Sequence, residues 1–404
     1  MLKNEEMPLP REMELVIGGE VKLDDIIGRD ELIERILSDL NSTSIIINEI
    51  RRFGKTTLLR LLETKIPDDW ICIRATVQDA RTTTELVEWT FQNILRHAKT
   101  TVRIKKIIWE VVQGLDSAKI NFGAVELQYH LQEKYKGNVF STFRSVLDSI
   151  GRQLKKDKKH MVIIWDEFPD AIRAIAEREG KHAAEDIMKF FRARRENVES
   201  GNIRWILTGS VGLHHVMRML SGRSDSINDM ITIGLAPIEP QYIRWMSKCL
   251  LLGIGRDFQG SDFIADISGG IPFVLEMMVK HIRDTKAAIP QSVKDAERLL
   301  IDAVSDVNLG RNWAPLLERV DSYYGEQATL AESILDVVAK TPMEQPMICD
   351  TLKKDFPEIE KTADKVLGLL FEDHYLQYDL SSNLYSWKYE PLRIIWRARR
   401  RKGM

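Results

Sequence analysis

One stretch of the chain limits what it can become. Asn48-Glu49-Ile50-Arg51-Arg52-Phe53-Gly54-Lys55-Thr56-Thr57 follows the β-branched run Ser44-Ile45-Ile46-Ile47 and leads into the helical pattern Leu58-Leu59-Arg60-Leu61-Leu62. Strand, loop and helix in that order are the setting of a Walker A phosphate loop. Backbone N–H groups of the loop and the helix N-terminus point at an anion. Lys55 then reaches the β- and γ-phosphates and the Thr56 hydroxyl holds Mg²⁺. Glu49 departs from the pattern, because it takes the place of the motif's first glycine. A glycine there eases the turn, and a carboxylate near phosphates is electrostatically unfavourable. Arg51 and Arg52 supply compensating charge. The alternative is that Gly-Lys-Thr opens a helix by chance and its lysine is merely solvated.

A second motif follows in the right order. Met161-Val162-Ile163-Ile164-Trp165 is an apolar strand that ends in Asp166-Glu167, the Walker B form. Asp166 is the expected Mg²⁺ ligand and Glu167 the general base that polarises the attacking water. The bland alternative is a helix-capping aspartate beside a solvated glutamate.

The other apolar runs, 70–76, 204–208 and 231–235, are short and do not alternate, as expected of strands buried on both faces of a parallel sheet. With helical patterns between them, the fold class is α/β with helices on both faces. About 85 residues separate the run at 70–76 from Met161, more than a crossover needs. Helices around Leu86, Trp89, Ile94 and Leu95 and around Val139, Phe143, Val146, Ile150 and Leu154 flank an alternating segment at 119–131, a β-hairpin. We read about 84–157 as an insertion. The expected parts are a nucleotide-binding core at 1–238, a helical lid at 239–322 and a winged-helix domain with a basic tail at 323–404.

Composition narrows the classes further. At 404 residues and 46.6 kDa the chain holds more than one core, and 44% hydrophobic residues exclude wholesale disorder. The 58 Lys and Arg against 60 Asp and Glu exclude a globally basic coat. Cys72, Cys249 and Cys349 lack disulfide or zinc spacing. Adjacent His214 and His215 face different sides of a helix, against a metal site. With neither a signal-peptide pattern nor a membrane-spanning run, a cytoplasmic location without membrane association is expected.

The last part offers helices at 330–339, 346–354 and 358–372, then two strand-like runs at 375–379 and 383–389. The helix at 358–372 carries Glu358, Glu360, Asp364 and Glu372 against Lys361 and Lys365, a poor phosphate binder. The tail at 397–402, with Arg397, Arg399, Arg400, Arg401 and Lys402, either lines a nucleic-acid path or ends a solvated helix.

Taken in order, Ile27-Gly28-Arg29-Asp30, the Arg51-Arg52-Phe53-Gly54-Lys55-Thr56-Thr57 loop, Trp165-Asp166-Glu167-Phe168, Leu207-Thr208-Gly209-Ser210, Leu235-Ala236-Pro237-Ile238, Gly269-Gly270-Ile271-Pro272 and Tyr323-Tyr324-Gly325 resemble the AAA+-related STAND ATPases, in particular the archaeal-type ATPase family with its MNS-like clade. That resemblance implies an ATPase using ATP and Mg²⁺. Ile27, Gly28 and Arg29 would lie beside the adenine, and Pro272 would pack on the base from the lid. Thr208 or Ser210 would act as the sensor near the γ-phosphate. Arg223, Arg218 or the Arg192, Arg194 and Arg195 cluster would be the place to seek an arginine finger. It implies a nucleotide-driven switch that signals to a protein partner or drives homo-oligomer assembly, in regulation or antiviral defence. The competing readings are an ATP-controlled DNA-binding regulator or loader that uses the winged helix and tail, and a nucleotide-binding scaffold without turnover.

Overall fold

The computed structural model describes residues 7–97, 99–113, 139–195, 201–209, 213, 216, 229–306, 309, 320 and 323–402. The hairpin expected at 119–131, Ser210, His214, His215, Arg218 and Arg223 lie outside the described residues. The chain divides into two compact units. One comprises Glu31–Glu49 and Leu58–Gly234, the other Met1–Asp30, Ile50–Thr57 and Leu235–Met404.

The first unit is built on a five-stranded sheet of β1 (Ile45–Asn48), β2 (Trp70–Thr76), β3 (His160–Asp166), β4 (Ile203–Gly209) and β5 (Ile231–Ile233), in the order β2-β3-β4-β1-β5. Every neighbouring pair is parallel, with Trp165 opposite Leu207 and Asn48 opposite Gly209. All of β1 and six of the seven residues of β3 are buried, which is why these runs read as continuously apolar. The chain's helices begin with α1 (Asp30–Leu40), α2 (Lys55–Lys65), α3 (Thr83–Arg96), α4 (Val102–Gln113), α5 (Val139–Asp157), α6 (Phe168–Glu179) and α7 (Lys181–Arg195). Helix α3 packs on β2, α5 on β3 and α6 on β4. A capping box fixes the start of α3: Glu85 N donates to Thr82 Oγ1 at 3.1 Å and Thr82 N donates to the Glu85 carboxylate at 3.2 Å.

Helix α4 was not expected from the sequence. It buries Ile104 and Ile108, one helical step apart, and packs on α5. Its crowd of β-branched residues (Val102, Ile104, Ile107, Ile108, Val111, Val112) obscures that single face.

Aromatic side chains fill the space between β3, β4 and the helices. The Trp165 and Trp205 rings are 4.8 Å apart, Phe168 stacks on Trp165 at 5.0 Å, and Phe191 meets Trp205 edge-on at 5.1 Å. The buried indole N–H of Trp165 donates to Thr90 Oγ1 at 2.9 Å, so no polar atom is stranded there.

Among the described residues of the second unit, α8 (Pro240–Gly253), α9 (Ser261–Ser268), α10 (Pro272–Thr285) and α11 (Val293–Ser305) precede α12 (Ala328–Val338), α13 (Gln345–Leu352), α14 (Ile359–Glu372), the antiparallel pair β6 (Leu376–Asp379) and β7 (Leu384–Trp387), and α15 (Glu390–Lys402). The last six elements are a winged helix. Helix α15 packs on α11 and α9, and Trp396 Nε1 donates to Asp336 of α12 at 2.7 Å. The N-terminal segment lies along α8: Met13 N donates to Cys249 O at 3.1 Å and Trp245 Nε1 to Pro8 O at 2.6 Å. The three cysteines are free and buried, and no helix among the described residues is long and apolar enough to cross a membrane. The fold class is α/β, a parallel P-loop-type sheet followed by a helical segment and a winged helix.

Replacing Phe191 by Ala should lower stability by about 3–5 kcal/mol, read from the shift in denaturant midpoint. An unchanged midpoint would show that the aromatic cluster is not what holds α7 to the sheet.

Candidate nucleotide site

In a parallel sheet all strands present their carboxyl ends to one edge, and Asp166 ends β3 there beside the end of β4. Asp166 is only 6% exposed, a costly place for a charge unless it is hydrogen-bonded. The Thr208 hydroxyl donates to Asp166 Oδ1 and accepts from Glu167 N at 3.3 Å. One side chain of β4 therefore fixes both Walker B residues. Glu167 has φ +58°, left-handed backbone that a residue with a Cβ adopts at a cost of about 1–2 kcal/mol. It occupies the N-cap of α6, yet its side chain makes no capping bond. The N-cap position is taken by Glu167 and not by an aspartate, and Glu167 as a whole is half-buried.

Glu49 lies at the end of β1 in the same unit. Its N–H donates to Gly209 O at 3.5 Å, which extends the β1–β4 ladder by one residue. The side chain is 1% exposed, and its Oε2 lies 3.6 Å from where a Cβ on Gly234 would stand. The carboxylate in the first-glycine position is thus buried beside Gly234, after β5.

The loop expected to cradle phosphate belongs to the other unit. Arg52 at φ +75° and Gly54 at φ +88° both take left-handed backbone, and a Cβ on Gly54 would meet nothing nearer than 4.0 Å, so its glycine serves backbone conformation rather than space. Lys55 opens α2 and is 6% exposed. Its ammonium turns back on the loop and donates to Ile50 O at 3.1 Å. Thr56 is exposed, Thr57 and Arg51 are half-exposed, and Phe53 is 1% exposed. The Arg52 guanidinium sits 4.8 Å over the Phe273 ring of α10 and close to Gly18. Arg52 itself is exposed, so this contact is a modest one.

The other expected adenine-side residues are in this unit as well. Arg29, 7% exposed, donates from Nη1 to Ala236 O at 2.7 Å. The Tyr242 ring of α8 lies against Gly28, and Ile27 beside it is half-buried. Pro272 is the first residue of α10 and half-buried, and Gly270 before it, at φ +73°, lets Ile238 O approach closer than any Cβ would allow. Ile238 N donates to Gly270 O at 2.8 Å. The structure thus brings Asp166, Glu167 and Thr208 together in one unit. The other unit holds Ile27, Gly28, Arg29, the loop 51–57 and Pro272, with Arg52 of the loop over Phe273, the residue after Pro272.

The donor set suits a magnesium nucleotide. No group of three or more His, Cys, Asp or Glu that could cage a metal occurs among the described residues. Mg²⁺ needs no such cage, because it is held by one or two protein oxygens together with phosphate oxygens and water. Two arginines weighed as fingers are used internally. Arg194 pairs with Asp148, and Arg195 Nε donates to Asp229 at 2.7 Å, with side chains 6% and 4% exposed.

Tyr242, Tyr389 and Glu276 interact with Gly28, Phe53 and Arg52 respectively. Tyr242 and Tyr389 reach Gly28 and Phe53 across long stretches of chain, and although the aromatics around the last helix read as docking residues, nothing local in the sequence names these partners. Glu276 did leave a signal, a lone carboxylate in the apolar helix run Phe273-Val274-Leu275-Glu276-Met277-Met278. Burial raises its pKa to about 8, and the Arg52 charge opposes that only in part.

A scan against protein-family models gives no match, and neither does a sequence comparison with curated proteins. Solved structures do resemble the chain. The Aeropyrum pernix ORC2 protein in its ADPNP–ADP complexes is similar over 99% of this chain and 97% of its own, at 11% identity and a TM-score of 0.47. For CDC6P from Pyrobaculum aerophilum the values are 93%, 94%, 14% and 0.36. For domain III of the Thermotoga maritima replication initiation protein DnaA they are 70%, 97%, 13% and 0.33.

Glu276 yields a pH prediction. Its folded-state pKa, raised from 4.5 to about 8, means that the folded chain keeps a proton the unfolded chain has lost. Stability from this group is present below pH 4.5 and declines as pH rises to about 8. Glu276→Gln should therefore gain stability over wild type progressively across that window and hold the gain above it, as read from paired denaturation curves at several pH values.

Proposed function

We propose that the chain is a nucleotide-dependent switch that binds and hydrolyses ATP with Mg²⁺. The observation that carries this is the Thr208 hydroxyl bridging Asp166 and the strained turn at Glu167. A structural Asp-Glu pair at a strand end has no need of a positive φ, whereas a water-orienting carboxylate needs its direction fixed.

Each residue has a distinct task in this reading. The loop N–H groups and Lys55 take the phosphate charge, and Lys55 exchanges its bond to Ile50 O for phosphate oxygens. Thr56 and Asp166 would be the protein's oxygen donors to Mg²⁺, which would supply charge neutralisation at the phosphates when bound. Glu167 accepts the proton of the attacking water, and Thr208 holds the Asp166 carboxylate in position by donating to its Oδ1. Ile27, Gly28, Arg29 and Pro272 are the proposed adenine side. Arg51 remains in the proposal as a phosphate contact, while Arg52 faces α10.

For the winged helix we favour a protein-facing role. Arg393 pairs with Glu390, and Arg400 with Asp336 and Glu332, so these two cations are already neutralised by the chain. The proposed setting, regulation or antiviral defence in the cytoplasm with nucleotide-controlled self-assembly, rests on the sequence resemblance alone.

Lys55→Ala should abolish nucleotide binding in calorimetry, and undiminished affinity would refute the loop assignment. Glu167→Gln should keep binding and lower phosphate release roughly 10²–10⁴-fold. Equal background release from wild type and Glu167→Gln would leave a scaffold without turnover.

A further inference from the structure

We propose that Phe53 and Tyr389 form a joint through which the phosphate loop sets the position of the last helix, α15. The inference rests on the nucleotide reading above and adds a route of regulation to it.

Phe53 precedes Gly54-Lys55 in the loop, where an apolar ring offers nothing to a phosphate. It is 1% exposed, and its ring lies 4.6 Å from that of Tyr389, itself 6% exposed, at an interplanar angle of 46°. Phe53 stands between two left-handed residues, Arg52 at φ +75° and Gly54 at φ +88°. A change in either dihedral swings the Phe53 ring about the chain. Because both rings are buried, close packing passes such a displacement to Tyr389 instead of absorbing it.

Tyr389 is tied into α15. Its carbonyl accepts from Leu392 N at 3.1 Å and Arg393 N at 3.2 Å, in the helix's first turn. Pro391 lies against Gly269, where a Cβ would stand 2.8 Å from Pro391 Cγ, so the same turn also touches the segment that leads into α10. Farther along α15, Trp396 and Arg400 bond Asp336 of α12, the latter from Nε at 2.9 Å. At the wing, Trp387 Nε1 donates to Leu335 O of α12 at 3.3 Å. A shift that enters at Tyr389 thus reaches the winged-helix core along one rigid helix. Phe53 and Tyr389 are positioning residues in this account, since neither need touch the nucleotide.

Hydrogen exchange of the full chain, with and without ADP, tests the joint. In wild type, ADP should slow exchange at 50–57 and also in α15, each by roughly threefold or more. In Tyr389→Leu the loop should keep its response and α15 should lose it. Tyr389→Phe, which retains the ring, should behave as wild type; a merely space-filling role would let Leu serve equally. If Tyr389→Leu does not fold, Phe53→Leu removes the same contact from the loop side and should likewise silence α15. A wild-type loop that responds while α15 does not, or an α15 response that survives in Tyr389→Leu, overturns the joint. No response at 50–57 in wild type overturns the nucleotide reading itself, and the joint with it.

Discussion

A carboxylate at the end of a strand buried on both faces can stay charged only if something donates to it. In this chain Thr208 does so for Asp166, and because its oxygen also accepts from Glu167 N, one hydroxyl orients two acidic residues. This works because β3 and β4 are parallel neighbours in register, Trp165 opposite Leu207, so that both strands end at the same level. The aromatic packing beneath, with Trp165 and Trp205 in contact, holds that register firm. The chemistry at the sheet's edge depends on the bulk under it.

The second unit follows a different logic, organised by turns rather than by a sheet. The Gly269-Gly270 turn allows the segment before α8 and the first turn of α15 to approach closely. The loop at 51–57 in the same unit sends Arg52 toward α10 and Phe53 toward Tyr389. Loop residues that the motif leaves unspecified are thereby committed to neighbouring helices. Such commitments tie the shape of the loop to several packed elements at once.

Much of this was legible beforehand. The strand at 70–76 has the bounds the apolar run indicated, because a strand buried on both faces is announced by composition alone. The helices and hairpin of the winged helix fell within two residues of their expected bounds. Helix α4 was hidden by its β-branched residues. The destination of Arg52 was hidden too, since an arginine beside a phosphate loop reads as a phosphate ligand until the ring of Phe273 is found beneath it. The basic tail gave no sign that Arg400 would pair with Asp336, more than sixty residues earlier.

By itself the sequence determined the chemistry available: a lysine and threonine after a glycine-turned loop, an acidic pair closing an apolar strand, and the periodicities that make strands and helices. These are local properties, fixed by backbone preference and by the spacing of apolar residues. Tertiary structure alone decided which polar groups are paired and which rings meet, such as Thr208 with Asp166 and Phe53 with Tyr389. Those contacts join residues distant in the chain, and their energies depend on burial and exact approach, which no local pattern encodes.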